Sequence, residues 1–545
     1  MRPVTVGCVP EAAVYGPPSV QQTLGGLPVV ASFLDQLGVA AIIDGLCPIR
    51  DVALATHGQV IEAMIANRLT SPTPLVRVID WAREWAAGHC FGIAPEVLND
   101  DRPGRALDAI APELDQIAGT VGIAAIQQFG LDVSRVHWDM TSISLYGACP
   151  EADQEYATPK FGHPKDRRRD LKQIQTGIGT SADGGIPIFH RACDGGAAEV
   201  SQVTGAMTAL QEIAGERTFL LAGDSKLISY PNVRDMAGAK VTFIGPAPKQ
   251  HVPAAVLAAC DIQAAAEVAC TALRDTRKPL DDRGTWRAYE DTMVLRPPRG
   301  TKGPDITVRR VFVHSTARAG AAKIARARKP GRARDDLDRL TRGLGSRHYP
   351  GEAAVRGRLA VIGKTRRVTG YLTTTIGTDP GTGKPALQWA CDQAALQAES
   401  ATDGWYALLT NLDPAEAGTA SVLLRFKGQE ASERRYGNYK GPLAVAPMFL
   451  QHNRRIAALI TVICLALLVF SLAGRQVRAQ IAPAANIPGL YADRPARPTG
   501  WLIFAAMAGL RLIPAAADRP AVISRPRPLQ QRLLDLLDVD PLRPP

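Results

Sequence analysis

Apolar positions along this chain recur first at helical spacing. From about Leu27 to Ile117, the stretches LPVVASFLDQLGVAAIIDGL, HGQVIEAMIANRLTS, LVRVIDWAREWAA and DRPGRALDAIAPELDQI keep the three- and four-residue steps of amphipathic helices, with short polar breaks between them. They predict a small all-α domain over 21–125, after a Pro- and Gly-rich flexible arm over 1–20. From Arg135 the period drops to two. RVHWDMTSISLY sets Val136, Trp138 and Met140 on one side of a strand and His137, Asp139 and Thr141 on the other. QIQTGIGTSA and IPIFHRAC follow as two more strands, divided by the turn signal Asp183-Gly184-Gly185. SQVTGAMTALQEIAG reads as a helix, TFLLAGDSKLIS as a buried strand ending in Asp224, NVRDMAGAK as a short helix and VTFIGPAP as a strand.

The order β-β-β-α-β-α-β over 130–250 predicts an α/β fold with an RNase H-like core rather than separate all-α and all-β domains. Residues 251–400 break this rhythm. AAVLAACDIQAAAEVACTAL is helix-like, TWRAYEDTMVL and ITVRRVFVHST are strand-like, and a basic run, VTGYLTTTI and ALQWACDQAAL follow. The expectation is a β-rich insertion into the core, which resumes over 401–478 with the strand GWYALLTN. Ile456–Gly474 is an uninterrupted apolar run of a length that can span a bilayer. Arg454, Arg455 and Arg475 flank it on both sides, so little charge bias would orient a span. Its place in an otherwise soluble pattern predicts a buried core helix and no membrane partner. The tail over 479–545 holds two short helical patterns, GWLIFAAMAGL and LQQRLLDLLDV, and no evident chemistry.

Charge changes this picture in one place. The formal net charge is +11, and Arg296–Arg347 alone carries fifteen Lys and Arg against four Asp. The electrostatic footprint is therefore concentrated in the insertion, where it suits either a polyanion or a solvated loop. Nine cysteines are dispersed, odd in number and without a C-x-x-C pair, which argues against a disulfide framework or a zinc site and for a reducing compartment. The start, MRPVTVGCVPEAA, lacks the apolar core of a signal peptide.

The stretch FKGQEASERRYGNYK, read as a helix, puts Phe426, Gln429, Glu433, Tyr436 and Lys440 on one face. A face buried by position but bearing an amide, a carboxylate and an ammonium meets something charged. Glu433 would hold a metal ion and Lys440 would meet a phosphate. Two further acids, Asp139 in the first strand and Asp224 at the end of the fourth, converge with Glu433 only through the fold. Three carboxylates are what two Mg²⁺ ions require to clamp the attacking and leaving oxygens of a phosphodiester.

These pieces resemble the DDE transposases of bacterial insertion sequences, in the branch with a β-rich insertion between the second Asp and the Glu. HWDMTSISLYG carries Asp139, LLAGDSKLIS carries Asp224, and FGHPKDRRRDLKQIQTGIGTSADGGIPI is similar to that branch's Gly-x-x-Lys-Asp-x-Arg-x-Asp-Leu-x-Gln segment. FKGQEASERRYGNYKGPLAVAPMFLQHNRRIAAL resembles the signature helix Tyr-x2-Arg-x3-Glu-x6-Lys, with Phe426 in place of Tyr and Gln429 in place of Arg. The resemblance covers about Leu27 to Arg475 and extends to the all-α amino-terminal domain. It implies Asp139, Asp224 and Glu433 as catalytic metal ligands, two Mg²⁺ ions that Mn²⁺ can replace, and double-stranded DNA as partner. It also implies a homodimer on two element ends and a bacterial cytoplasmic location. Lys440, Arg434, Gln429, Lys165 and Arg167 are the expected DNA contacts.

Trp286 has two readings: a ring stacked on a flipped base, as the resemblance implies, and a core tryptophan, the commoner fate. His137, His163 and His190 have no zinc spacing and receive no role. The alternative to an active transposase is a catalytically inactive DNA-binding protein derived from one. A nuclease or resolvase on the same core, and a membrane-anchored protein using Ile456–Gly474, are the other rivals.

Overall fold

A computed structural model describes residues 21–543 apart from 148–152, 154, 165, 216–217, 273–274, 277, 429, 446–447 and 516–519; the side chains of 214 and 430–433 also lie outside the described set. The arm over 1–20, Lys165, Gln429 and the Glu433 side chain therefore fall outside it. By contact density the chain forms two compact units, Met1–Phe219 with Gln429–Pro545, and Leu220–Gly428.

The first unit opens with the expected helices. Leu27–Leu37 stops at Gly38, whose φ of 63° lies in the left-handed region, and Val39–Leu46 begins directly after it. His57–Thr70 starts on a capping box in which Thr56 and Gln59 satisfy each other's backbone N–H groups. Gly58 lets this helix lie against Val39–Leu46, since a Cβ there would sit 2.5 Å from the Ala40 carbonyl oxygen. Three antiparallel strands follow, Arg135–Ser144, Gln173–Ser181 and Pro187–Cys193, then the helix Glu199–Ala214.

Leu27–Leu37, His57–Thr70 and Pro187–Cys193 pack against Asn453–Ala479, which is long and apolar enough to cross a membrane but is enclosed by protein. Every residue of Ile456–Gly474 is buried. The arginines flanking the run bond acids of the same unit: Arg454 and Arg455 meet Asp108 at 2.8 and 2.6 Å, and Arg475 meets Asp183 at 2.6 Å. A helix apolar on all sides is accounted for by a core that surrounds it.

The second unit is built on a mixed sheet. Leu220–Ala222 and Thr242–Pro246 are parallel, and Trp405–Thr410, Ile306–Ser315, Trp286–Leu295 and Ala266–Val268 continue antiparallel in that spatial order. AAVLAACDIQAAAEVACTAL is not one helix: it holds only Ala254–Ala258 as helix and then Ala266–Val268 as an edge strand, because pairing with Trp286–Ala288 outweighs alanine's helix propensity. The insertion is also less β-rich than expected. The basic run is neither strand nor loop but the 27-residue helix Thr316–Arg342, followed by a second helix, Glu352–Arg366. Ala, Arg and Lys dominate TARAGAAKIARARKPGRARDDLDRLTR, and all three are strong helix formers.

One buried acid in the helical part of the first unit makes a pH prediction. Burial raises the Glu62 carboxyl to about 7, opposed by the Ala40 N–H that it accepts at 3.0 Å. The folded chain thus holds a proton that the unfolded chain releases from about pH 4.5, so stability falls as pH rises from about 4.5 to about 7. Glu62→Gln is expected to flatten this decline, read as the urea midpoint at each pH.

Candidate functional site

The register of the strands decides what can meet. Asp139 stands opposite Ile178, Thr141 opposite Thr176 and His137 opposite Thr180. Residues directly opposite share a face, so Asp139, His137 and Thr141 look out over one side of the sheet. The other side belongs to Trp138, whose indole lies so close over Gly177 that a Cβ there would come within 2.1 Å, and which packs 6.0 Å from the Phe189 ring. Glycine at that strand position makes room for the indole.

The helix Glu430–Lys440 lies on the Asp139 side. Tyr439 is fully buried, with its hydroxyl 3.3 Å from Thr176 Oγ1. One turn earlier the Tyr436 hydroxyl donates to the main-chain carbonyl of Asp139, 297 residues away in sequence. Burial, and for Tyr436 the Asp139 carboxylate as well, raise both phenols well above their usual range, so both are neutral. Next to Tyr436, Arg435 donates Nε to the Gly185 carbonyl at 2.6 Å and a second N–H to that of Gly184. At the far end Lys440 is exposed and acts on Asp166. Burial works to raise the Asp166 carboxyl, but the Ser144 hydroxyl at 2.6 Å, the Arg168 N–H at 3.1 Å and the Lys440 charge hold it below its usual range.

The helix therefore runs from the Gly184–Gly185 turn, past Asp139, to the loop of Asp166. Position 433 lies three residues before Tyr436, on the same helix face and one turn away from the Asp139 carbonyl. The Asp139 carboxylate is partly buried and accepts the Met140 N–H at 2.7 Å.

Asp224 belongs to the second unit. It lies two residues beyond Leu220–Ala222, at the carboxyl end of a parallel strand pair, where open α/β sheets place ligands. Its Oδ1 accepts the Lys226 N–H at 2.9 Å, and no partner for Oδ2 is found among the described residues. All three expected ligands offer oxygen donors, which fits a hard divalent cation. Among the described residues, no group of three or more His, Cys, Asp or Glu side chains stands together; the Glu433 side chain is outside that set.

Arg434 and Arg167 are exposed, Arg167 in a turn at φ 67° with its N–H on the Pro164 carbonyl at 3.0 Å. Trp286 takes the packing role: it is 1% exposed, in a core cluster with Val311, Val313 and Leu408. His137 is 2% exposed, and neither ring nitrogen has a hydrogen-bond partner among the described residues; burial lowers it to about 3, so the ring is neutral.

The basic segment is visible in the sequence as charge, and the structure separates its paired cations from its exposed ones. Thr316–Arg342 and Glu352–Arg366 share a small core of Ala333, Leu337, Leu340, Val355 and Ile362 with the strands Leu372–Thr378 and Pro385–Cys391. Over Thr316–Cys391 there are sixteen Lys and Arg against five Asp and Glu, a net of +11 that equals that of the whole chain. The inward-facing cations are neutralised: Arg326 pairs with Asp403, and Arg366 with Asp336 at 2.6 Å. Lys323, Arg328, Arg332, Arg334 and Arg342 face solvent and make no ion pair among the described residues.

Residues 19–116 match a family model described as a domain of unknown function (DUF4277), which names no activity. No curated protein matches the sequence. Among solved structures, the chain is similar to a cryo-EM structure of piggyBac transposase in a synaptic complex with hairpin DNA. The TM-score is 0.35 and the identity 8%, over 84% of this chain and 78% of that one. A likeness that distant carries neither fold nor function across.

Proposed function

We propose that this chain is a DDE-type DNA transposase of a bacterial insertion sequence, acting by cut-and-paste strand cleavage and strand transfer. The observation that carries the reading is the bond from Tyr436 to the Asp139 carbonyl. It holds the signature helix on the face of the strand that presents Asp139, with position 433 one turn away. That convergence is what the motifs demand of residues so far apart in sequence.

In this reading Asp139, Asp224 and Glu433 would hold two Mg²⁺ ions, which would supply activation of water or a 3′-hydroxyl and stabilisation of the departing 3′-oxygen. Tyr436 and Tyr439, as neutral phenols, fix the helix without adding charge beside the carboxylates. Lys440 offers a point charge to a phosphate, its position set against Asp166. The exposed cations of Thr316–Arg342 supply the sequence-independent grip on the DNA backbone. RNase H-like organisation of the core, dimeric assembly on two ends and a bacterial cytoplasmic setting belong to the same proposal.

The test is mobility in cells. A selectable marker bordered by the DNA that flanks this gene should be excised and reinserted when the chain is expressed, leaving short direct duplications at the new site. Stable occupancy of the borders without any excision would replace the proposal with the inactive DNA-binding derivative.

A further inference from the structure

The turn Asp183-Gly184-Gly185 is surrounded by guanidinium groups. Arg435, from the signature helix, donates to the carbonyls of Gly184 and Gly185. Arg475, from the end of the core helix, bonds Asp183 at 2.6 Å and the Phe129 carbonyl at 3.0 Å. Arg478, one turn further on, donates to the Pro498 carbonyl at 3.0 Å, and its Nη2 would lie 3.7 Å from a Cβ on Gly184. Arg497 adjoins Pro498, and Arg434 adjoins Arg435; both are exposed.

Arg435 and Arg478 meet at Gly184; burial, then Arg497, Arg434 and Arg475, push Arg478 down from its usual range. Asp183 is the carboxylate bonded to any of these five arginines among the described residues. Arg435 and Arg475 have evident structural work, since they clamp the turn and with it the start of the signature helix. Among the described residues, Arg434, Arg478 and Arg497 have no acid to answer them. Holding so many guanidinium groups around one carboxylate disfavours the folded chain unless an anion offsets the repulsion.

We propose that Arg434, Arg478 and Arg497 form a phosphate-binding surface for the backbone of duplex DNA, fixed by the Arg435–Arg475 clamp on the Asp183 turn. The proposal rests on the reading of this chain as a DNA-acting enzyme and adds a named contact surface to it. Guanidinium forks suit paired phosphate oxygens, and the surface begins at the residue that follows Glu433, where a strand to be cut has to be held.

The experiment measures the affinity of the full chain for duplex DNA as a function of salt. Each lost phosphate contact lowers the slope of log K against log salt by about 0.9. Arg434→Ala with Arg497→Ala, both at exposed positions, is expected to lower the slope by about 2, and adding Arg478→Ala by about 3, with similar losses on unrelated DNA sequences. Arg532→Ala, exposed on the helix Pro528–Leu537, serves as a control that leaves the slope unchanged. Melting temperatures show whether each variant is folded. A folded double variant with the wild-type slope overturns the surface while leaving the transposase reading intact. A wild-type chain that binds no DNA at low salt overturns both.

Discussion

Glu433→Gln and Asp139→Asn are each expected to yield folded protein that still binds DNA but cleaves it on the order of 10³-fold more slowly, the kinetic equivalent of several kcal/mol of lost charge stabilisation. Both exchanges keep shape and remove charge. Asn at 139 retains an oxygen for the Met140 N–H, and the carbonyl that Tyr436 bonds is main chain, so the tie between helix and strand survives. The loss should therefore appear in the rate of 3′-end release and not in the melting temperature or the affinity for DNA. If either variant cut at the wild-type rate, that residue would leave the site.

Tyr439→Ala is expected to cost about 3–5 kcal/mol of stability, the range for removing a large buried aromatic ring. Tyr439 has no exposed surface, and its hydroxyl meets Thr176 on the strand paired with that of Asp139. Tyr439→Phe keeps the ring and leaves Thr176 one partner short, a loss of about 1 kcal/mol. Urea unfolding separates the two. Equal small losses would mean that the signature helix is held mainly elsewhere, with Tyr436 and Arg435 the remaining ties.

Strands and helices came through clearly where one face is uniform. RVHWDM alternates because one side carries Trp138 over Gly177 and the other carries Asp139, and the period of two marks the strand. Ile456–Gly474 met the length test for a membrane span, and what separated core from span was the company it keeps: Asp108 and Asp183 bond the arginines at its two ends. Side-chain bonds to backbone carbonyls left no mark in the sequence. Tyr436 and Arg435 orient the signature helix through the carbonyls of Asp139, Gly184 and Gly185, which every residue possesses. For the same reason the stripe of Phe426, Gln429, Glu433, Tyr436 and Lys440 suggested a charged ligand without showing what aligns it. The basic run was legible as charge but not as helix, because its Ala-Arg-Lys composition has no apolar period until Ala333, Leu337 and Leu340 supply one.

The central claim is that the chain cuts DNA strands and does not merely bind them. The measurement that tests it most directly is the release of 3′-hydroxyl ends by purified protein from duplexes carrying the borders of its own gene, with Mg²⁺ added or withheld. The account predicts cleavage at the borders that requires the metal, is sustained by Mn²⁺ and is lost in Glu433→Gln. Tight border binding with intact strands in both Mg²⁺ and Mn²⁺ would contradict it.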